Sequence, residues 1–346
     1  MLHFECDYAC GAADKVLRAL CETNGEQTSG YGEDPHCQRA RALIRDKCRC
    51  PQAAVHFVPG GTQANLLVIA AALRPFEGVL CADTGHINVH ETGAIEATGH
   101  KVLPLPGKDG KISAAQVREA VEAHRADGTH EHMVCPGMVY ISHPTELGAL
   151  YTRGELAALA DTCRALGISL YLDGARLGYG LAAQPDVDLP FLAQTCDAFT
   201  IGGTKVGMLF GEAIVLCAPA LQTCFRYHIK QRGAMLAKGR LLGVQFEAML
   251  EDGSYVALSK TANGMAQELK RAFVSHGCPL LCDTQANQIF PILPDAIAGQ
   301  LAEKYAFSFW QRVDEAHSAV RFCTSAVTSR ADVDALLADI ERIFRP

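Results

Sequence analysis

Ser169-Leu-Tyr-Leu-Asp-Gly-Ala-Arg176 is the stretch on which the reading of the fold turns. Leu170, Tyr171 and Leu172 are apolar at consecutive positions, where a strand with one wet face would alternate. This predicts burial on both faces, as in a parallel sheet covered by helices. The run then stops at a carboxylate, two small residues and a guanidinium. In such sheets function gathers just past the carboxyl ends of the strands, so Asp173 and Arg176 are candidate site residues from the outset.

Outward from this stretch, strand-like runs alternate with helical patterns. Gly78–Ala82, Met138–Ser142, Asp197–Ile201 and Ala213–Cys217 read as further strands. Gln63–Leu73, Ser113–Arg125, Thr152–Leu166 and Arg240–Leu250 read as helices, the third opened by a Thr152/Glu155 capping box. The alternation predicts an α/β class with a mostly parallel sheet. After Asp252 the texture changes: a helix over Thr261–Phe273, the run Gln288–Ile292, then Val320–Cys323 and an amphipathic helix over Arg330–Phe344. The expected division is therefore residues 1–252, an N-terminal arm with a large domain, and 253–346, a smaller α+β domain.

With 346 residues, 49% hydrophobic and 20% charged, the chain can bury a sizeable core. A net charge of −7 lacks the basic footprint of nucleic-acid binding. The fifteen cysteines show no C-x-x-C pair and read as reduced thiols used as small hydrophobes, with a zinc site at Cys37, Cys48 and Cys50 as the alternative. The N-terminus lacks the pattern of a secretory signal, and the longest apolar run, Leu66–Leu73, is too short to cross a bilayer. A soluble, cytoplasmic protein is the expectation.

Three more segments carry chemistry. Val58-Pro-Gly-Gly-Thr-Gln-Ala-Asn65 turns on Gly60 and Gly61 into a helix, whose free N–H groups and dipole make a seat for phosphate, with Thr62 adding a hydroxyl; the alternative is a tight turn capped by Thr62. No G-x-x-x-x-G-K-[ST] loop occurs, which argues against a nucleoside triphosphate. Phe199-Thr-Ile-Gly-Gly-Thr-Lys-Val-Gly207 ends a strand in two glycines, a hydroxyl and a lysine among apolar neighbours. A lysine in such low dielectric becomes a usable amine nucleophile, unless it snorkels to the surface. Asp83-Thr-Gly-His-Ile-Asn-Val-His-Glu91 sets His86 and His90 four apart. A flat imidazole stacked on a flat ring is the functional reading; zinc binding and a solvated or capping histidine are the alternatives. Asp173, at its strand end, can keep a ring nitrogen protonated or simply pair with Arg176.

A phosphate seat, a strand-end Asp and a strand-end Lys in this order resemble fold-type I pyridoxal 5'-phosphate enzymes. With Gly30-Tyr-Gly-Glu-Asp-Pro35, Thr84-Gly-His-Ile-Asn88 and Leu172-Asp-Gly-Ala-Arg176 added, the chain resembles low-specificity threonine aldolases of the β-eliminating-lyase family over nearly its whole length. The resemblance implies that Lys205 holds the cofactor as a Schiff base, Asp173 pairs with the ring nitrogen, and His86 stacks on the ring. Gly60, Gly61, Thr62 and Thr204 would contact the phosphate, while Arg176 and Arg321 would grip the substrate carboxylate. Tyr31 would reach the active site of a neighbouring copy, since the family is at least dimeric and often tetrameric.

Three positions depart from the family pattern. Cys6-Asp7-Tyr8 stands where Ser-Asp-Thr is usual, and Glu146, in His143-Pro-Thr-Glu-Leu-Gly148, stands where a histidine serves the substrate's β-hydroxyl. Leu236 replaces an arginine lent to the phosphate by a neighbouring subunit, with Lys238 or Arg240 as possible substitutes. Cys6, His90 and His143 join the substrate-binding candidates, and Glu146, His86 and His90 are the candidate bases. The expected reaction is cleavage of a β-hydroxy-α-amino acid to glycine and an aldehyde, with no metal. The rivals are β-elimination or another reaction of the same cofactor, including transamination, and a non-catalytic binding protein of this fold.

Overall fold

The strand Ser169–Asp173 lies fourth of seven in the main sheet of the computed structural model, which describes residues 1–344. The strands are β1 (Leu2–His3), β2 (Ala54–Val58), β3 (Glu77–Ala82), β4 (Val102–Leu105), β5 (Cys135–Ser142), β6 (Ser169–Asp173) and β7 (Ala198–Gly202), then β8 (Glu212–Leu216), β9 (Gln288–Ile289), β10 (Ile292–Pro294), β11 (Tyr305–Ala306), β12 (Ser308–Arg312) and β13 (His317–Cys323). The main sheet runs β2-β8-β7-β6-β5-β3-β4. All its neighbours are parallel except those of β8, which is antiparallel to both β2 and β7. Residues 203–211, between β7 and β8, are fewer than the dozen or so that a parallel crossover needs, so the chain doubles back.

The consecutive apolar residues of β6 divide as a two-faced strand must. Leu170 and Leu172 enter one buried cluster with Phe199, Val215 and Phe246; Tyr171 enters the opposite one with Tyr140, Ala198 and Ile214. Helices cover both faces. Arg153–Leu166 and Ala114–Ala126 each open on a capping box, Thr152/Glu155 and Ser113/Gln116. Two helices that the sequence reading did not name, Asp14–Glu22 and Pro35–Lys47, both pack on Arg240–Leu250. The second begins with Asp34 accepting from the Cys37 amide at 2.8 Å and Pro35 in its first turn.

The C-terminal part builds its own sheet, β10-β13-β12 with β9 also on β13. The expected single strand Gln288–Ile292 is two, because Pro291, with no N–H to donate, interrupts it. Helix Ser254–Ser275 joins the two parts: Tyr255 and Ala262 belong to a cluster against the main sheet, Leu269 and Phe273 to the C-terminal one. The N-terminal arm, expected with residues 1–252, packs against the C-terminal part. β1 pairs parallel with β11, the Cys323 amide donates to the Phe4 carbonyl at 2.7 Å, and Phe4 is buried between Tyr305 and Phe322. The buried phenyl ring, the β1–β11 pairing and the Cys323–Phe4 bond together hold the arm against the entropy of ordering it, and the arm delivers Cys6, Asp7 and Tyr8 to the ends of the main-sheet strands. Among the described residues no helix is long and apolar enough to cross a membrane.

Candidate active site

A cavity of about 360 Å³ opens where β2, β5, β6 and β7 end. One wall is the turn Pro59-Gly60-Gly61-Thr62, which starts the helix Gly61–Ala72. That helix has no acidic residue in its first turn, so its positive end is left for a ligand. A Cβ built on Gly60 or Gly61 would meet nothing within 4 Å, so the turn presents bare backbone to open space. The opposite wall is Asp173, Ala175 and Arg176 after β6, with Thr204 and Lys205 after β7. The two strand ends are clamped together: Gly174 N donates to Thr200 Oγ1 at 2.7 Å and Gly202 N to Gly174 O at 2.9 Å. A Cβ at Gly174 would lie 2.0 Å from the Thr200 carbonyl oxygen, which is why glycine follows the aspartate.

Asp173 is fixed by three donors. Tyr140 Oη and Asn65 Nδ2 donate to its Oδ2 at 2.7 and 2.9 Å, and the Ala175 amide to its Oδ1 at 2.8 Å. Asn65 Nδ2 also donates to Glu91 Oε1 at 2.7 Å, and its Oδ1 accepts from Tyr171 Oη at 2.7 Å. Glu91 Oε1 in turn lies 2.7 Å from His86 Nδ1, which anchors the imidazole through one nitrogen and leaves Nε2 for the cavity. The His86 amide donates to Glu146 Oε1 at 2.9 Å, and Ser142 Oγ donates to the same oxygen at 2.6 Å. Ser142 Oγ and Tyr140 Oη are 3.1 Å apart, so the polar contacts close into a ring from Asp173 back to Asp173. Burial raises the Glu146 carboxyl above its ordinary range, against the pull of these donors.

Lys205 is held in a mainly desolvated setting. Burial and the Arg176 guanidinium lower its ammonium, while Asp7, Asp173 and Glu212 oppose the shift. Its Nζ stands 6.0 Å from the centre of the Tyr8 ring. Arg176 donates through Nε and Nη2 to the two oxygens of Asp7, at 2.7 and 3.0 Å, and Asn287 Nδ2 adds a bond to Asp7 at 2.9 Å. Burial alone would push Asp7 up, but Arg176 and Lys205 prevail and hold it below the usual carboxylate value. Thr204 is tied into its own turn, its Oγ1 accepting from the Gly211 amide at 3.1 Å.

Of the residues expected from sequence, Gly60, Gly61, Thr62, His86, Glu146, Asp173, Arg176, Thr204 and Lys205 line this one cavity. The others stand elsewhere. His143 is fully buried behind the lining, its Nδ1 accepting from the Tyr151 amide at 3.3 Å; Pro144 occupies the wall instead, and burial lowers the imidazole to about 4. His143 therefore does not line this cavity. His90 is exposed at the end of a helix of only four residues, its ring 5.5 Å from that of His86. Burial, His86, Arg321 and Lys205 all lower it. Arg321 sits on β13, where its Nη2 donates to the Glu5 carbonyl at 2.9 Å and its guanidinium covers Trp310 at 5.4 Å; its buried Nε has no partner among the described residues. Cys6 follows Glu5, and burial raises its thiol while Arg321 pulls it back. Tyr31 lies outside this cavity, in a backbone of positive φ (59°), with Lys230 Nζ 4.7 Å from its ring.

Sequence reasoning gave no role to Asn65, Glu91, Tyr140, Ser142, Asp7 or Glu212. Two carried a legible signal: Asn65 is polar within an apolar helix, and Glu212 is a carboxylate opening the apolar run Ala-Ile-Val-Leu216. All fifteen cysteines are free, and no group of three His, Cys, Asp or Glu among the described residues could hold a metal ion, which leaves the zinc alternatives at Cys37, Cys48 and Cys50 and at His86 and His90 without support.

The profile described as Beta-eliminating lyase matches residues 4–295. A low specificity L-threonine aldolase of Pseudomonas sp. is 31% identical over 350 residues, covering 99% of this chain and 97% of that protein. One from Pseudomonas aeruginosa is 30% identical over 351 residues, with the same coverage. The solved structure of Leishmania major threonine aldolase superposes with a TM-score of 0.97 at 40% identity, covering 100% of both chains.

Proposed function

Because the chain belongs to the beta-eliminating lyase family, we propose that it is a pyridoxal-phosphate enzyme that cleaves a threonine-type β-hydroxy-α-amino acid to glycine and an aldehyde. The observation that carries this reading is the convergence of a desolvated Lys205 amine, the Asp173 carboxylate and the bare Gly60–Thr62 turn on one cavity. The residues suit the cofactor: an open backbone cradle at a helix N-terminus for a phosphate, a fixed carboxylate for a pyridine nitrogen, an anchored imidazole for a ring face, and an amine for an aldehyde.

Bound there, pyridoxal phosphate supplies an aldehyde and a ring that accepts the electron pair of a bond broken at the amino acid's α-carbon. The rest falls to the chain. Lys205, its ammonium destabilised by burial, offers a free amine at lower pH than an exposed lysine would. Asp173 would pair with the ring nitrogen and keep it protonated. His86, tethered by Glu91, offers a flat face. Arg321 and the Nη1 group of Arg176, which has no hydrogen-bond partner among the described residues, are left to orient the substrate carboxylate, and with it the bond that breaks. Glu146, where the family has a histidine, receives the β-hydroxyl proton; its raised carboxyl suits a base that returns the proton later.

Tyr31, about half exposed and away from its own chain's cavity, supports an assembly of at least two copies in which it completes a neighbour's site. Fifteen free thiols support a reducing, cytoplasmic setting.

The test is a product analysis of the purified, cofactor-loaded protein with L-threonine, L-allo-threonine, L-serine and L-cysteine. Glycine with acetaldehyde from either threonine is the expected result. Pyruvate and ammonia from serine or cysteine, with no aldehyde from threonine, would replace the reading by β-elimination.

A further inference from the structure

Glu212 opens β8 and is matched in register to Gly202 of β7 on one side and Val58 of β2 on the other. It therefore stands between the two segments that lead into the cavity, just before the Gly60 turn and just before Thr204 and Lys205. It is among the residues lining the cavity while only 2% exposed. Oε2 has no hydrogen-bond partner among the described residues, and no cation there lies within ion-pair distance of it.

The groups around it are Asp173 and Tyr171 on β6, Thr204 and Lys205 after β7, and Tyr255 on the helix Ser254–Ser275. Burial and then Asp173 push Glu212 well above the ordinary carboxylate value; Lys205 and the Thr204 hydroxyl pull it back by less. A buried carboxyl with a carboxylate neighbour and no ion pair keeps its proton rather than its charge. In that form Glu212 is an O–H donor, one of its oxygens is unmatched, and the space before it is the ligand cavity. Thr204 and the Gly60–Thr62 turn, which flank Glu212, are the phosphate-contact residues of the reading above. A doubly charged phosphate there would hold the proton on Glu212 more firmly.

We propose that Glu212 is a further cofactor-binding residue, acting as the neutral acid and donating its proton to a phosphate oxygen of the bound pyridoxal phosphate. The inference rests on the pyridoxal-phosphate reading and adds a donor on the chain that lacks the family's phosphate arginine at Leu236. It has a consequence for pH: ionisation of Glu212 sets a carboxylate against the phosphate, so affinity falls as pH rises through its titration.

The experiment titrates the apo full-length protein with pyridoxamine 5'-phosphate, which forms no covalent link to Lys205, and with unphosphorylated pyridoxamine, by fluorescence from pH 6 to 9. Wild type, Glu212→Gln and Glu212→Ala are compared, with thermal melting as the check on folding. Glu212→Gln keeps a neutral donor and should bind the phosphorylated ligand within about threefold of wild type at neutral pH, with a flatter decline at high pH; Lys205, whose ammonium burial lowers, accounts for the slope that it retains. Glu212→Ala should weaken the phosphorylated ligand roughly tenfold, as for loss of one charge-assisted hydrogen bond, and leave pyridoxamine unchanged. If Glu212→Ala does not fold, the pH profile of Glu212→Gln alone decides. Equal weakening of both ligands, unchanged binding in Glu212→Ala, or an undiminished slope in Glu212→Gln each overturns the proposal. A wild type that binds neither ligand overturns the cofactor reading itself, so the two failures are distinct.

Discussion

Arg176 and Asp7 form a two-point ion pair, Nε and Nη2 of the guanidinium against both carboxylate oxygens at 2.7 and 3.0 Å, with the Asp7 side chain fully buried and Arg176 12% exposed. It joins the N-terminal arm to the end of β6, and Asn287 extends it into the C-terminal part. Removing one partner of such a pair strands a buried charge, which costs about 3–5 kcal/mol, whereas removing both costs less. Asp7→Ala should therefore lose about that much in urea unfolding, and Asp7→Ala/Arg176→Met should recover part of it. A double variant as unstable as the sum of the singles would contradict the pairing.

Glu146 is the assigned acceptor of the β-hydroxyl proton, so it must be ionised to work. Its folded value is raised, and activity should climb as pH rises through that value. Glu146→Gln should lower kcat by about 10²–10⁴-fold and abolish this acidic limb. A variant that keeps both rate and limb would move the role elsewhere.

Tyr140 donates to Asp173 at 2.7 Å from a fully buried ring. A hydrogen bond to a charged group contributes about 1.5–3 kcal/mol. Tyr140→Phe should weaken pyridoxal phosphate by roughly ten- to a hundredfold in a spectroscopic titration, with thermal stability of the apo protein much less affected. Unchanged affinity would remove Tyr140 from the support of Asp173.

His143 is buried and neutral, lowered to about 4 from its ordinary 6.5. The unfolded chain thus binds a proton that the folded chain refuses between these values. Stability is present above the unfolded value and lost as pH falls toward 4, by about 3 kcal/mol over the window. Urea midpoints at pH 7 and 4.5 should converge in His143→Gln relative to wild type. An equal drop in both proteins would show that other groups carry the acid sensitivity.

The main sheet was legible because Leu170, Tyr171 and Leu172 need two buried faces, and β6 proves central. The strand-end residues were legible because a carboxylate or a lysine after an apolar run is uncommon. What escaped did so for physical reasons. Asp7 finds Arg176 only because Phe4 docks on Tyr305 and Phe322, a long-range event with no periodic signal. Tyr140 and Tyr171 read as strand apolars, and only their hydroxyl contacts with Asp173 and Asn65 reveal a second function. That His143 sits behind the lining was not legible, since sequence distance from Glu146 does not tell which face of a turn looks inward. Pro291 shows the same limit in the C-terminal part, where one missing N–H splits an expected strand.

The central claim, that the Lys205 amine carries the cofactor, is tested most directly by borohydride reduction of the cofactor-loaded protein followed by peptide mapping. A stable pyridoxyl group on Lys205, absent in Lys205→Ala, is the predicted result. A reduced adduct on another lysine, or none in protein that binds pyridoxal phosphate, would contradict it.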